Sequence, residues 1–318
     1  MNVLVTGGTG YLGRAIVGAL VARGHAPVVF ARAATAAALP GRAIDGDVRD
    51  AAGLRRAAQG CDAICHTAAL VTVWRPRARD FDDVNVGGLV NVLAAARDAG
   101  VHRIVYTSSF LARPPAGART PLRSNDYQRT KAEAADVARR AQDAGAPVVI
   151  LAPGVVYGPG IGSEGNLVGR MLADHLAGRL PGLIGADRIW SFAWIDDVAR
   201  AHVAALEHTS PAAEYELGGE NAPQIRPFEI ARDLQGTPLP RRLPYWLAST
   251  VAVVEEARTR VTGRPPRITR ATVEIFRHDW LVASKDAERD LDYAPTPLAT
   301  GIRRLIEEPA RTKLRKPS

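Results

Sequence analysis

The chain has 318 residues, enough for one large domain and a smaller one, and 47% are apolar, so a sizeable core can form. Its formal charge is +8 and its sequence pI about 9.9, but the basic residues are scattered apart from Arg311 to Lys316. That pattern argues for solvated surface and anionic small ligands rather than nucleic acid. With no apolar run of membrane-spanning length, and a first strand starting at residue 2, a soluble cytoplasmic protein with no membrane span is expected.

Residues 2–6 are an apolar run. Ile16, Val17, Leu20 and Val21 then recur at helical spacing before Gly24. This predicts a buried strand, a glycine turn and a helix. Gly7, Gly10 and Gly13 have the spacing G-x-x-G-x-x-G between the two. Glycine permits a tight turn, close approach of a pyrophosphate and close contact of helix with strand. The helix N-terminus would then face the phosphates with unpaired N–H groups.

Strands are predicted over 27–31, 42–44, 62–66, 104–107 and 148–151. Helices are predicted over 50–59 with Asp50 as cap, over 80–99 and over 127–144. The alternation implies an α/β fold with a doubly wound parallel sheet. Beyond Pro153 the pattern changes. A helix is predicted near 167–177, an extended run at 191–194, and a helix from Asp196 or Asp197 to 207. A strand follows at 214–217, and mostly helical chain over 226–308.

Tyr127 and Lys131 stand at i and i+4, on one face of the helix after the fifth strand. An ammonium beside a phenol favours the phenolate, so the pair predicts a tyrosine tuned for proton transfer. Ser108 and Ser109 lie at the C-terminal edge of that strand, where ligands bind in open α/β sheets. A serine hydroxyl there can hold a substrate oxygen. His66 reads as a packed residue, not a metal ligand; Cys61 and Cys65 offer neither a disulfide framework nor a zinc set, so no metal is expected. Asn85 either bridges backbone groups or touches substrate. Asp196 and Asp197 fit a helix start better than a carboxylate pair. Trp74, Trp190 and Trp194 either line a pocket or pack. Phe110 and Tyr157, just past strand ends, are stronger pocket candidates.

Eight motifs in order carry a resemblance over nearly the whole chain. They are Thr6-Gly-Gly-Thr-Gly-Tyr-Leu-Gly13, Asp45-Gly-Asp47-Val-Arg-Asp50, His66-Thr-Ala-Ala69 and Asn85-Val-Gly-Gly88. The others are Tyr106-Thr-Ser-Ser109, Tyr127-x-x-x-Lys131, Pro153-Gly-Val-Val-Tyr-Gly-Pro-Gly160 and Trp194-Ile-Asp-Asp-Val-Ala199. Together they resemble the extended short-chain dehydrogenases/reductases of the NAD-dependent epimerase/dehydratase superfamily. Leu217-Gly-Gly-Glu-Asn221 and Leu243-Pro-Tyr-Trp246 narrow the likeness to the dihydroflavonol-reductase-like group with its hopanoid-associated and 3β-hydroxysteroid-dehydrogenase-like relatives.

The resemblance implies a Rossmann domain over 1–155, with segments near 186–210 returning to it, and a smaller helical substrate domain over 156–318. It implies Ser109, Tyr127 and Lys131 as the catalytic set. Gly7, Gly10, Tyr11, Leu12 and Gly13 would hold the pyrophosphate, and Asp47 and Val48 the adenine. Thr67, Ala68 and Ala69 would line the cofactor's middle. Lys131 would also hold the nicotinamide ribose, and Pro153, Val155 and Val156 the nicotinamide. The Arg/Pro-rich loop between serine and tyrosine is shorter than usual for this group. A homodimer through the long sheet-flanking helices is common among such proteins.

The position past the second strand, where a carboxylate would favour NAD, holds Ala31 and Arg32. Arg32 suits a 2′-phosphate, so NADP(H) is expected over NAD(H). The expected reaction is hydride transfer between nicotinamide and a small carbonyl or secondary alcohol. A nucleotide-sugar epimerase/dehydratase and a non-catalytic dinucleotide-binding regulator are the alternatives. The arginine that the resembled epimerases use on a diphosphate aligns with Trp190, two positions from Arg188. Their later Arg-x-Gly-Asp element reads Arg277-His-Asp-Trp280 here. An apolar or aromatic substrate, met by Phe110, Tyr157, Trp190 and Trp194, is therefore expected.

Overall fold

The apolar runs of the N-terminal half pair into one sheet in a computed structural model, which describes residues 1–160 and 163–307. The basic run from Arg311 to Lys316, and residue 308 of the expected helical stretch, lie outside the described residues. The chain opens with β1 (Asn2–Thr6), α1 (Tyr11–Ala22), β2 (Ala26–Ala31), β3 (Arg42–Asp45), α2 (Ala51–Ala58) and β4 (Ala63–His66). Next come α3 (Arg79–Phe81), a π-helical segment (Asp82–Gly87), α4 (Gly88–Ala99), β5 (Arg103–Thr107), α5 (Asp126–Asp143), β6 (Val148–Pro153) and β7 (Val155–Tyr157). Then follow α6 (Leu167–Leu176), β8 (Leu183–Ile184), β9 (Ile189–Trp194), α7 (Ile195–Glu207), β10 (Glu214–Leu217) and β11 (Glu220–Pro223). The described chain closes with α8 (Arg226–Gln235), β12 (Arg242–Leu243), α9 (Tyr245–Thr262), α10 (Arg270–Ile275), α11 (Lys285–Leu291) and α12 (Leu298–Glu307).

The main sheet has the order β10-β6-β5-β4-β1-β2-β3, with every pairing parallel. Val3 and Val5 point into one core, packed with Ile16 and Leu20 of α1, Val198 of α7 and Leu291 of α11. Leu4 points into the other, with Leu54 of α2, Leu89 of α4 and Ala134 of α5. Both faces are covered, which is why these strands read as unbroken apolar runs. The winding reverses between β1 and β4, leaving a crevice at their C-terminal ends.

A third core joins the small sheet β11-β9-β7 to α6, α8, α9, α10 and α12. The chain passes from the main sheet to the small one and back. β9 pairs with β7 and β11, not with the main sheet. The returning stretch begins at α7, which packs on α1, and ends with β10, which pairs with β6.

Local chemistry sets the helix starts. Asp50 accepts from the Gly53 amide at 3.0 Å, and Asn125 from the Gln128 amide at 2.8 Å. α7 starts one residue before Asp196, with Trp194 at its cap. Asp197 is buried and does more than start a helix: it accepts from the Thr296 amide at 2.6 Å and pairs with Arg200. The helix expected over 80–99 contains a π-helical stretch, a feature frequent at functional sites.

Candidate active site

The glycine turn is built by close approach. Gly7 has φ +72°, and a Cβ there would lie 2.7 Å from the Ala68 backbone. A Cβ on Gly13 would lie 2.2 Å from the Gly7 carbonyl oxygen, which locks α1 onto the turn. Gly10 differs: a Cβ there would meet only the Gly7 oxygen, at 3.1 Å. It is also the cap of α1, without a capping side chain and with no carboxylate in the following turn. The first amides of α1 have no partner among the described residues, which fits a pyrophosphate. The Tyr11 hydroxyl is used within the protein: it donates to the Gly158 carbonyl at 3.0 Å and ties α1 to the loop after β7. Thr67 donates its hydroxyl to the Thr6 carbonyl at 2.8 Å, holding Thr67, Ala68 and Ala69 along the same crevice.

At the β2–β3 end, the loop with Asp47 and Val48 is fixed from α4. Asn91 donates to the Val48 carbonyl at 3.0 Å, and Gly88 leaves room for Val48, whose Cγ2 would lie 2.8 Å from an added Cβ. The sequence reading missed Asn91; a lone Asn on a helix carries no spacing signal. Asp47 is held below the usual carboxylate range mainly by its bidentate pairing with Arg49, at 2.7 and 2.9 Å. Asp45, the register partner of Ala31, caps the Thr35 amide at 2.9 Å. Arg32 is exposed and forms no salt bridge among the described residues.

Thr6, His66 and Tyr106 form a row in register across β1, β4 and β5. Thr6 Oγ1 lies 2.6 Å from His66 Nδ1, the His66 and Tyr106 rings stack at 5.8 Å, and Lys131 Nζ sits 5.1 Å over the Tyr106 ring. His66 is thus a packed, polar-bonded residue; burial, then the nearby Lys131, lowers it to about 3. On the opposite face Thr107 meets a second buried histidine. His202 Nδ1 donates to the Val198 carbonyl at 2.8 Å, so Nε2 accepts from Thr107 Oγ1 at 2.8 Å.

The strand's period of two separates the serines. Both are buried, and the buried Tyr106 hydroxyl has no hydrogen-bond partner among the described residues. Ser109 also caps the short turn over Phe110–Ala112 through the Leu111 amide at 3.2 Å. Arg129 anchors the start of α5 by a bidentate contact to Asp82, at 2.7 and 2.9 Å, in the π-helical segment. Asn85, in the same segment, accepts from the Leu70 amide at 2.7 Å and donates to Thr130 at 2.9 Å. It bridges protein groups.

One electrostatic expectation fails. Burial pushes the Tyr127 phenol up, with the Ser109 side chain opposing; no lowering by Lys131 appears. The reason is where the ammonium points. Lys131, 4% exposed, donates to the Thr107 carbonyl at 2.7 Å, and burial brings it down to about 7.

The four aromatic residues expected around the pocket separate. Tyr157 is wholly buried against Trp194 and Phe192, with its ring against Gly301 of α12. Trp194 donates to Asp196 at 3.1 Å, and Trp190 to the His278 carbonyl at 3.3 Å. These three pack the third core instead of walling an open pocket, because strand alternation turns them into it. Only Phe110 keeps partial exposure, edge-on to Trp280 at 5.4 Å. Arg188 is turned to Asp279 at 3.7 Å, and Arg277 stacks on Tyr245 at 4.8 Å. Among the described residues no cluster of metal-ligating side chains forms.

The model of the NAD dependent epimerase/dehydratase family matches residues 3–218, two thirds of the chain. The chain belongs to that family. It is 32% identical over 313 residues to sterol demethylase protein B of Methylococcus capsulatus, covering 93% of this chain and 94% of that protein. It is 30% identical over 329 residues to a 2-alkyl-3-oxoalkanoate reductase of Stenotrophomonas maltophilia, covering 96% and 98%. The crystal structure of gox2253 superposes with a TM-score of 0.78 at 29% identity, over 98% of this chain and 99% of that one. The protein is an NAD(P)-dependent oxidoreductase of the extended short-chain dehydrogenase/reductase type. Its fold is the Rossmann arrangement expected from the motifs.

Proposed function

We propose that the protein is an NADP(H)-dependent reductase of apolar ketones or aldehydes, or of the corresponding alcohols in reverse. The observation that carries this is the placement of Ser109 just past β5 and of Lys131, one helical turn after Tyr127, on the Thr107 carbonyl at the end of that strand, beside the crevice that the glycine turn also borders. The nicotinamide supplies or accepts the hydride. Tyr127 gives its phenolic proton to the oxygen of the carbonyl as it gains charge, and Ser109 donates a hydrogen bond to that oxygen. Lys131 has three N–H donors; one holds Thr107, leaving two for ribose hydroxyls. Gly7, Gly10, Gly13 and the first amides of α1 hold the pyrophosphate. Arg32 takes the 2′-phosphate, supported by its exposure and by Asp47 being committed to Arg49.

Two findings favour an apolar substrate over a nucleotide sugar. Arg188 and Arg277 are engaged with Asp279 and Tyr245, while tryptophans occupy the neighbouring register. The relative named 2-alkyl-3-oxoalkanoate reductase acts on an alkyl-chain ketone by its name, and such a chain suits the site beside Phe110. The test is a screen of hydrophobic ketones and aldehydes followed by loss of reduced-nicotinamide absorbance. Tyr127→Phe is expected to lower turnover on the order of 10²–10⁴-fold with cofactor binding retained. Micromolar binding of uridine or thymidine diphosphate, with no carbonyl reduced, would give the site to an epimerase instead.

A further inference from the structure

α9 is apolar on both sides. Ala248, Ala252 and Thr259 face the third core. On the other side Trp246, Leu247, Val251, Val253, Val254 and Val261 are exposed, Trp246 at 70% and Val261 at 87%. Their spacing, Leu247-Val251-Val254-Val261 with Trp246-Val253 alongside, forms a stripe down the helix. Monomeric surfaces rarely leave such a contiguous apolar stripe open.

Charge frames the stripe. Residues 245–270 carry five arginines against two glutamates. Both glutamates are consumed, Glu255 by Arg258 at 2.8 Å and Glu256 by Arg270 at 2.9 Å. Arg260, Arg264 and Arg267 form no salt bridge among the described residues. A cleft lies beside the helix. Trp74, in the loop after β4, shares an open cleft of about 340 Å³ with Glu256, Thr259 and Arg260, and Val71 and Val73 of that loop are exposed.

We propose that this face docks on an anionic lipid bilayer. α9 lies in the headgroup plane, with Trp246, Val254 and Val261 entering the acyl boundary and Arg260, Arg264 and Arg267 meeting anionic headgroups. The helix does not cross, and no helix of the described residues is long and apolar enough to do so. Charge complementarity selects this occupant. A second copy would cover the valines but bring no free carboxylate from this segment to Arg260, Arg264 and Arg267, because Glu255 and Glu256 are already paired. Nucleic acid would use the arginines and leave the valines and Trp246 uncovered. Docking here sets the loop after β4, at the sheet edge where the crevice opens, beside the bilayer. It stands apart from the catalytic reading, since binding needs no substrate.

The test is sedimentation of the full chain with vesicles of phosphatidylcholine alone and of phosphatidylcholine mixed with phosphatidylglycerol. Binding is expected to the anionic vesicles, falling as salt is raised, and by about fivefold for each of Arg260, Arg264 and Arg267 replaced by glutamine. The double variant Trp246→Ser/Val254→Ser is expected to weaken binding at low salt while cofactor titration stays unchanged. Equal binding to both vesicle types, no binding to either, or binding indifferent to both sets of variants would overturn the proposal. So would a Trp246→Ser variant that converts a dimer into a monomer by analytical ultracentrifugation, which would assign the face to a second copy.

Discussion

Replacing Lys131 with methionine should make the cofactor-free protein more stable while abolishing its activity. In the fold the ammonium is 4% exposed and has one hydrogen-bond acceptor, the Thr107 carbonyl. Burial moves its pKa from 10.5 to about 7. At about 1.4 kcal/mol per pKa unit, holding this amine costs about 4 kcal/mol near neutral pH. Methionine fills a similar volume and leaves one carbonyl without its donor, a loss of about 1 kcal/mol. The net expectation is a gain of about 3 kcal/mol, or about 4–5 °C in melting temperature for a chain of 318 residues. The pH dependence is the sharper readout. The folded pKa lies below the unfolded one, so the stability linked to this group is fully present above 10.5 and is lost as pH falls toward 7. Wild type should therefore close the gap on the variant as pH rises from 7 toward 10. Chemical denaturation of both proteins across that range checks it. A variant no more stable at pH 7, or a gap that ignores pH, would refute the idea that the site stores a desolvated lysine.

Arg32→Ala should narrow the preference for NADPH over NADH; tighter or equal NADH binding by wild type in a fluorescence titration would remove Arg32 from that role. Gly13→Ala adds a Cβ 2.2 Å from the Gly7 oxygen and must shift the turn. It should cost about 1–3 kcal/mol of stability, and weaken either cofactor, as read by denaturation and calorimetry. Asn85→Leu leaves the Leu70 amide without its acceptor and should cost about 1–3 kcal/mol in a urea titration.

Much of the site was legible along the chain because its parts are local. Gly7, Gly10 and Gly13 share one turn with β1 and α1, and a glycine spacing between a strand and a helix has few other meanings. Tyr127 and Lys131 share one helix face, and Ser109 lies two residues past the end of one strand. Helix starts at Asp50 and Asn125 depend on side chains three residues from the amides they cap. Strand periodicity and order sufficed for the doubly wound sheet, since parallel strands need crossovers of that length.

What tertiary structure alone decided concerns partners distant in sequence. Spacing put an ammonium beside a phenol, but Lys131 reaches a carbonyl 24 residues away, and burial then controls both groups. Trp190 and Trp194 looked able to line a pocket or to pack, and Tyr157 looked the stronger pocket candidate; β7 and β9 pairing turned all three into the third core. Asp197 resembled a helix start, yet it also holds Thr296, 99 residues on. The open stripe on α9 was equally hidden, because an apolar run reads the same whether it is covered or exposed. A sequence records which residues prefer to leave water. Which of them find the space, and beside which charges, follows only when the remote segments meet.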